Sequence, residues 1–183
     1  MKKAVILFAD GVEECEGLLV VDLLRRAKVE IDIVSLNKQL NVLSSHSVNV
    51  SCDALLDEVD FSNYDLLILP GGMPGTKTLS ENDTVLHQVS EFYSSGRKIA
   101  AICAAPSVLA KAGILNGKRA TVHPNFRDQM KDAVLTDQEV VVDGEITTAW
   151  GLGAAIPFGL ELVSQLVDDE TASRIKSAIG YIH

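Results

Sequence analysis

Short runs rich in valine, isoleucine and leucine alternate with longer amphipathic segments along the chain, and no other feature constrains its fold as tightly. Strands buried on both faces read as continuous apolar runs, and each parallel crossover needs a helix. The pattern therefore predicts βα units around a mostly parallel sheet. Strands are expected near Lys3–Ala9, Glu30–Ser35, Leu66–Leu69, Lys98–Ile102 and Ala120–Val122. A later pair, Glu139–Val142 and Ile146–Ala149, is separated by Asp143 and Gly144, a hairpin signal. Helices are expected near Glu14–Ala27, Asp83–Ser95, Ala105–Ala112, Ala154–Val167 and Asp169–Ile179. Gly96 and Gly113 stand where helix C-terminal glycines belong, and Pro106 where a first-turn proline belongs. With 183 residues, 47% of them hydrophobic, and no repeat or linker, the chain reads as a single domain, 1–183, that can bury a core without disulfides.

Charge narrows the partners. The 16 Lys and Arg against 25 Asp and Glu give a formal charge of -9, which repels a phosphate backbone or an anionic membrane surface. Neither nucleic acid nor membrane is expected as a partner. The apolar stretch from Ala4 to Ala9 is too short for a secretory signal, and the longest apolar region, Ala149 to Leu160, falls short of the ~20 residues that span a bilayer. Cys15, Cys52 and Cys103 are odd in number and form no C-x-x-C pair or zinc-ligand spacing. These features predict a soluble protein in a reducing, cytoplasmic compartment with no structural metal, where a conspicuous thiol is more often reactive than structural.

The first predicted helix carries Leu18, Leu19, Val20, Val21, Leu23 and Leu24, more apolar surface than a single core-facing stripe requires. It is expected to pack on its own sheet and on a symmetry-related copy, giving a homodimer. The alternative is burial under the last helix of the same chain.

The segment from Lys98 to Gly113 runs from a buried strand into a helix with no residues to spare for a loop. A nucleophile elbow needs small residues two before and two after the nucleophile, and Ala101 and Ala105 fill those places around Cys103. Cys103 is then placed at a helix N-terminus, where the macrodipole and free N–H groups favour a thiolate and a depressed thiol pKa. The competing reading is an inert cysteine at the end of a core strand. The run from Leu66 to Gly75 is another strand that ends abruptly, in Gly71 and Gly72. Sites in open α/β sheets form at the carboxyl ends of strands, so the Gly72 and Ala104 N–H groups are candidates for an oxyanion hole facing Cys103. Read alone, Pro-Gly-Gly is a turn.

Four segments, residues 10–16 (DGVEECE), 69–72 (LPGG), 100–106 (AAICAAP) and 122–124 (VHP), stand in this order and at these separations. Together they resemble the ThiJ/PfpI superfamily, and within it the branch of the parkinsonism-associated protein deglycase and its bacterial relatives. The resemblance implies a flavodoxin-like three-layer sandwich, a dimer built on the first helix, and a catalytic pair of elbow cysteine and first-helix glutamate, Cys103 and Glu16. It also places His123 near the cysteine as a secondary proton carrier; a structural histidine is the other reading. Glu13, Glu14 and Glu16 all follow the first strand, so one of them can reach the crevice of Cys103. A carboxylate held against a thiolate should have a raised pKa. Glu13 and Glu14 are read as acids complementing the helix dipole. His46, His87 and His183 have no partner motif and are read as surface residues.

Departures from the family pattern bear on function. Ala104 stands where peptidase-like and amidotransferase-like branches have histidine, which weakens a protease reading. Trp150 and Ala154 replace polar residues, so the pocket is expected to be more apolar. Cys15 beside Glu16 is unusual and is placed near the expected dimer seam. Two functions remain. One is a cofactor-independent enzyme acting on small dicarbonyls or glycated side chains, releasing glycolate or lactate. The other is a redox sensor in which Cys103 is oxidised beside a protonated Glu16. Cysteine peptidase or amidase activity, and thiazole-phosphate biosynthesis, carry less weight.

Overall fold

The computed structural model describes residues 2–182; the reading of His183 as a surface residue falls outside them. Six α-helices and eleven strands, with four short 3-10 turns, are present among the described residues. In chain order these are β1 (Lys3–Phe8), α1 (Glu14–Arg26), β2 (Glu30–Ser35), β3 (Asn41–Leu43), β4 (Asn49–Ser51), β5 (Ala54–Leu55), β6 (Leu66–Leu69), α2 (Gly75–Glu81), α3 (Asp83–Ser94), β7 (Lys98–Ile102), α4 (Pro106–Lys111), β8 (Arg119–Ala120), β9 (Val134–Leu135), β10 (Val140–Asp143), β11 (Ile146–Ala149), α5 (Ala155–Leu166) and α6 (Asp169–Ala178).

The central sheet has the order β10-β11-β7-β6-β1-β2-β5, parallel except for the β10–β11 pair. Its inner strands β11, β7, β6 and β1 are buried on both faces, with successive side chains alternating across the pleat. Ala4, Ile6 and Phe8 of β1 pack with Val20, Leu24 and Phe158 on one side. Val5 and Leu7 pack with Val89, Phe92 and Val108 on the other. Each such fully buried aliphatic side chain contributes about 1.5–3 kcal/mol, so the two apolar layers fix the sandwich. This is the expected flavodoxin-like three-layer arrangement. No helix among the described residues is long and apolar enough to cross a membrane.

The topology places the functional end. From β1 the chain moves outward to β2, whereas β6 lies on the opposite side of β1. The order reverses between β1 and β6, and the segments leaving their carboxyl ends diverge to open a crevice. Glu16 follows β1, Gly71 and Gly72 follow β6, and Cys103 follows β7 at the same sheet edge.

The structure corrects several sequence expectations. Residues 120–122 do not form a strand of the main sheet: β8 covers Arg119–Ala120 and pairs only with β9. Asp143 pairs with Ile146, so the hairpin turn is Gly144-Glu145, with Gly144 at φ +62. Helix α2, the β3–β4 hairpin and β5 were not anticipated. Within this chain, α1 is covered by the sheet and by α5, with Leu23 against Gly159. Val20, Val21, Leu23 and Leu24 are buried there, while Leu18 is 37% exposed. The sheet and the chain's own penultimate helix thus cover much of the apolar surface of α1.

Candidate active site

Cys103 follows β7 directly and adopts φ +64, a left-handed conformation that costs a non-glycine residue about 1–3 kcal/mol. Backbone hydrogen bonds hold it there. Its N–H donates to Ala149 O at 2.9 Å, its carbonyl accepts from His123 N–H at 2.9 Å, and Ala105 N–H closes the turn on Ile102 O at 3.0 Å. Ala101 and Ala105 are fully buried, so strand and helix close around the turn without a clash. The sulfur is half-buried at the mouth of the crevice.

The Gly71-Gly72 turn brings the acid to the thiol. Glu13 N–H donates to Gly71 O at 2.9 Å, and Gly71 N–H donates to Glu16 Oε2 at 3.1 Å. Gly72 adopts φ +94 and presses against the backbone of Gly11, Val12 and Glu13, where no side chain fits. A Cβ on Gly71 would lie 2.6 Å from Cys103 Cβ and 3.1 Å from its sulfur, and would overlap Glu16 Oε2. Gly71→Ala should therefore displace the acid from the thiol, lowering the rate of Cys103 alkylation at least tenfold and stability by about 1–3 kcal/mol. Iodoacetamide kinetics together with urea unfolding check both; unchanged alkylation would show that the close approach is dispensable.

Glu16 is 1% exposed, and its carboxyl is hydrogen-bonded to the Cys103 thiol and to the Gly71 and Leu152 N–H groups. Burial, helped by the nearby Glu13 charge, pushes its pKa up to about 7 against these bonds, the direction expected from the sequence. The thiol departs from expectation. Burial first, then the Glu16 charge and the hydrogen bond to it, push Cys103 up to about 12, although the Ala104 and Gly72 N–H groups act on the sulfur in the opposite sense. The depressed thiol pKa read from the helix start is not what this site produces. Helix α4 has only six residues and begins three residues beyond the sulfur, so its dipole is a weak counterweight. The two groups hold one proton between them from about pH 7 to about 12, and ionisation belongs to the pair.

His123 sits across Gly151 from the sulfur: a Cβ on Gly151 would lie 3.5 Å from the ring and 4.0 Å from Sγ. Its Nδ1 accepts from Asn125 N–H at 3.3 Å, which leaves the proton on Nε2. The ring meets Phe126 edge-on at 6.3 Å. Among the described residues, the structure thus gathers Cys103, Glu16, Gly72 and Ala104 around the sulfur, with His123 beside them. Gly71, Gly151 and Leu152 were missed. The glycine pair and the 150–154 turn were both noticed in the sequence, but nothing there says which amide reaches the carboxylate.

The surface reading of His46 holds and gains detail, and the reading of Ala154 changes. His46 is exposed but not without partners: its Nδ1 lies 3.2 Å from Glu14 Oε1 and 3.5 Å from Glu13 Oε2. Glu13 and Glu14 therefore tie the β3–β4 hairpin to the start of α1 as well as complementing its dipole. Ala154 is fully buried in the core, so it shapes packing; Trp150 is half-buried against the same core. Cys15 is exposed and Cys52 buried, its thiol pushed up to about 11 chiefly by burial.

Comparison with known proteins gives a consistent picture. Residues 2–165 match the model of the DJ-1/PfpI family. The chain is 39% identical over 181 residues to Protein DJ-1alpha of Drosophila melanogaster, covering 97% of this chain and 83% of the relative. It is 32% identical over 189 residues to the glutathione-independent glyoxalase DJ-1 of Schizosaccharomyces pombe, covering 98% and 99%. The crystal structure of Drosophila melanogaster DJ-1beta superposes with a TM-score of 0.96 at 33% identity, covering 100% of this chain and 99% of that one.

Proposed function

The chain belongs to the DJ-1/PfpI family, and from that premise we propose that it is a cysteine-dependent, cofactor-independent enzyme acting on reactive dicarbonyls or early glycation adducts. The observation that carries this reading is a buried carboxyl hydrogen-bonded to a thiol on a strained elbow, with two backbone N–H groups acting on the same sulfur. A homologue named as a glyoxalase supports the reaction class.

The chemistry follows from one shared proton. With methylglyoxal, the Glu16 carboxylate accepts the thiol proton as sulfur bonds to the aldehyde carbon, so the thiolate forms only as it is consumed. The carbonyl π electrons move onto oxygen, where the Gly72 and Ala104 amides stabilise the oxyanion. Glu16 returns its proton to that oxygen, giving a hemithioacetal. Its carboxylate then takes the C1 proton and delivers it to C2 while the hydroxyl proton passes from the C1 oxygen to the C2 oxygen, leaving a thioester of the hydroxy acid. Water cleaves the thioester, releasing lactate and regenerating the thiol; glyoxal gives glycolate by the same steps. His123, through its Nε2 proton, is a second proton carrier for the leaving and entering groups. Incubation of the protein with methylglyoxal, followed by proton NMR, should show lactate appearing as methylglyoxal disappears. Methylglyoxal left unconsumed would refute the reading.

Oxidation of Cys103 is a second use of the site, favoured by a half-exposed sulfur beside a carboxyl that is protonated at mildly acid pH and two N–H donors suited to sulfinate oxygens. After mild peroxide treatment, mass spectrometry should find modification concentrated on Cys103. Even spread over Cys15, Cys52 and Cys103 would argue against a sensor. We also propose a homodimer through α1, whose exposed Cys15 and Leu18 remain available after α5 has packed. Light scattering at micromolar concentration should give twice the chain mass, and a strict monomer removes this assembly. A free thiol of this kind suits a reducing, cytoplasmic compartment.

A further inference from the structure

Outside the crevice of Cys103, the β3–β4 hairpin brings a second group of side chains together. Backbone hydrogen bonds seat the hairpin on the loop that follows β1: Gly11 N–H donates to Leu43 O at 2.8 Å, and Ser45 N–H donates to Val12 O at 2.8 Å. Asp10 Oδ1 accepts from Leu43 N–H at 2.8 Å. These bonds set Ser45 and His46 opposite Glu13 and Glu14 at the start of α1. His46 Nδ1 lies 3.2 Å from Glu14 Oε1 and 3.5 Å from Glu13 Oε2. Ser45 Oγ lies 3.1 Å from both Glu13 Oε2 and His46 Nδ1. One ligand atom from each of Glu13, Glu14 and His46 falls within 4.8 Å of the other two.

That spacing suits a small divalent ion. Ligands held ~2.0–2.2 Å from a tetrahedral centre stand ~3.3–3.6 Å from one another. The hairpin contacts hold the donors close to those separations, so little chain ordering remains for binding to cost. Charge points the same way. The Glu13 and Glu14 side chains are only 15% and 13% exposed, and among the described residues neither pairs with a lysine or arginine. A protonated His46 leaves one of the two carboxylates uncompensated, whereas a divalent cation bound to neutral imidazole compensates both. The positive end of the α1 dipole opposes a cation, but only as about half a unit charge against two carboxylates. His46 is exposed, which gives the ion a path from solvent. An imidazole nitrogen beside carboxylate oxygens suits zinc, whereas magnesium and calcium favour oxygen ligands.

We propose that Glu13, Glu14 and His46 form a zinc site, with water in the fourth tetrahedral position. The three ligands have no zinc-motif spacing along the chain, because they meet only when the hairpin docks on α1. Bound zinc clasps the hairpin to that helix start. Glu13 N–H also holds Gly71 O at 2.9 Å, and Gly71 N–H holds Glu16, so the clasp reaches the backbone that positions the catalytic acid. The site stands apart from the sulfur and does not depend on the dicarbonyl reading.

Zinc chloride titrated into the wild-type protein, followed by histidine side-chain NMR, tests the assignment. The His46 ring resonances should shift saturably, and Cys15→Ser should leave the midpoint unchanged, since the neighbouring thiol is not a ligand. Glu14→Gln keeps the side-chain shape and should weaken binding at least about tenfold, as should His46→Gln, because losing even an outer hydrogen-bond partner of a metal ligand costs about that much. Ser44 and Ser47 N–H groups close the hairpin on Val48 O and Ser44 O. Zinc at about ten times its dissociation constant should slow their hydrogen exchange about tenfold. Absence of a saturable His46 shift in wild type, equal binding by Glu14→Gln, or unchanged exchange in the hairpin would each overturn the site. Loss of binding in Cys15→Ser would put the ion on the thiol, and displacement of zinc by equimolar magnesium would exclude the imidazole as a ligand; either result also overturns it.

Discussion

Cys103→Ser should yield a folded protein whose consumption of methylglyoxal falls at least a thousandfold, to the background rate. The substitution changes one atom in a half-buried position, so folding should survive: the backbone bonds that hold residue 103 do not involve its side chain. Reactivity should not survive. A serine hydroxyl is far more weakly acidic than a thiol, and a Glu16 carboxyl of pKa about 7 cannot remove its proton to a useful extent. Lactate appearance by NMR, with circular dichroism to establish folding, reads the result. A serine variant that consumed methylglyoxal at the wild-type rate would show that Cys103 is not the nucleophile, and Cys15 and Cys52 would need the same test.

Glu16→Gln should make the protein more stable above pH 7 while disabling it. The carboxyl of Glu16 ionises near 4.5 in the unfolded chain and near about 7 in the folded one. Between those values the folded state binds more protons than the unfolded state, so stability falls as pH rises through the interval and then levels off. The shift corresponds to a cost of ~3 kcal/mol at pH 8, absent at pH 4, and a neutral amide removes it while still accepting from the Gly71 N–H. Urea unfolding of wild type and variant at the two pH values should show a gap in favour of the variant at pH 8 that closes at pH 4. A variant less stable than wild type at pH 8 would mean that the carboxylate is better solvated than its burial implies. A side chain retained at such a cost fits selection for chemistry over stability.

The fold was legible where periodicity is strong. Runs such as Leu66–Leu69 and Lys98–Ile102 are too apolar to be anything but central strands, and α1, α3, α5 and α6 ended within a residue of their expected limits. Short elements were not legible. Asn41–Leu43 and Asn49–Ser51 alternate one buried residue with two exposed ones, too brief a pattern to separate from a loop. Helix α2 hides behind glycines and prolines and starts only where Gly75 packs on the loop at Val12. Ala120–Val122 has the composition of a core strand, yet its partner is the short β9, a choice set by tertiary packing.

The site divides in the same way. The elbow was readable because its sterics demand Ala101 and Ala105, and Glu16 because the family motif singles it out from its neighbours. Local spacing could not show that Gly71 and Leu152 donate to that carboxylate, since both contacts join segments distant in sequence. Nor could it give the sign of the thiol shift. A sequence shows that a helix begins after Cys103, but not that the helix stops after six residues or that burial and a buried acid outweigh it.

The most direct test is the rate of Cys103 alkylation by iodoacetamide as a function of pH, compared between wild type and Glu16→Gln. If sulfur and carboxyl share a proton, the wild-type rate should rise with an apparent pKa of about 7. In the variant the step near pH 7 should vanish with the base that causes it, and the remaining rise should follow the thiol's own ionisation, which burial keeps above 9 while loss of the Glu16 charge brings it below the wild-type value of about 12. Superimposable profiles for the two proteins would contradict the coupling on which the proposed chemistry depends.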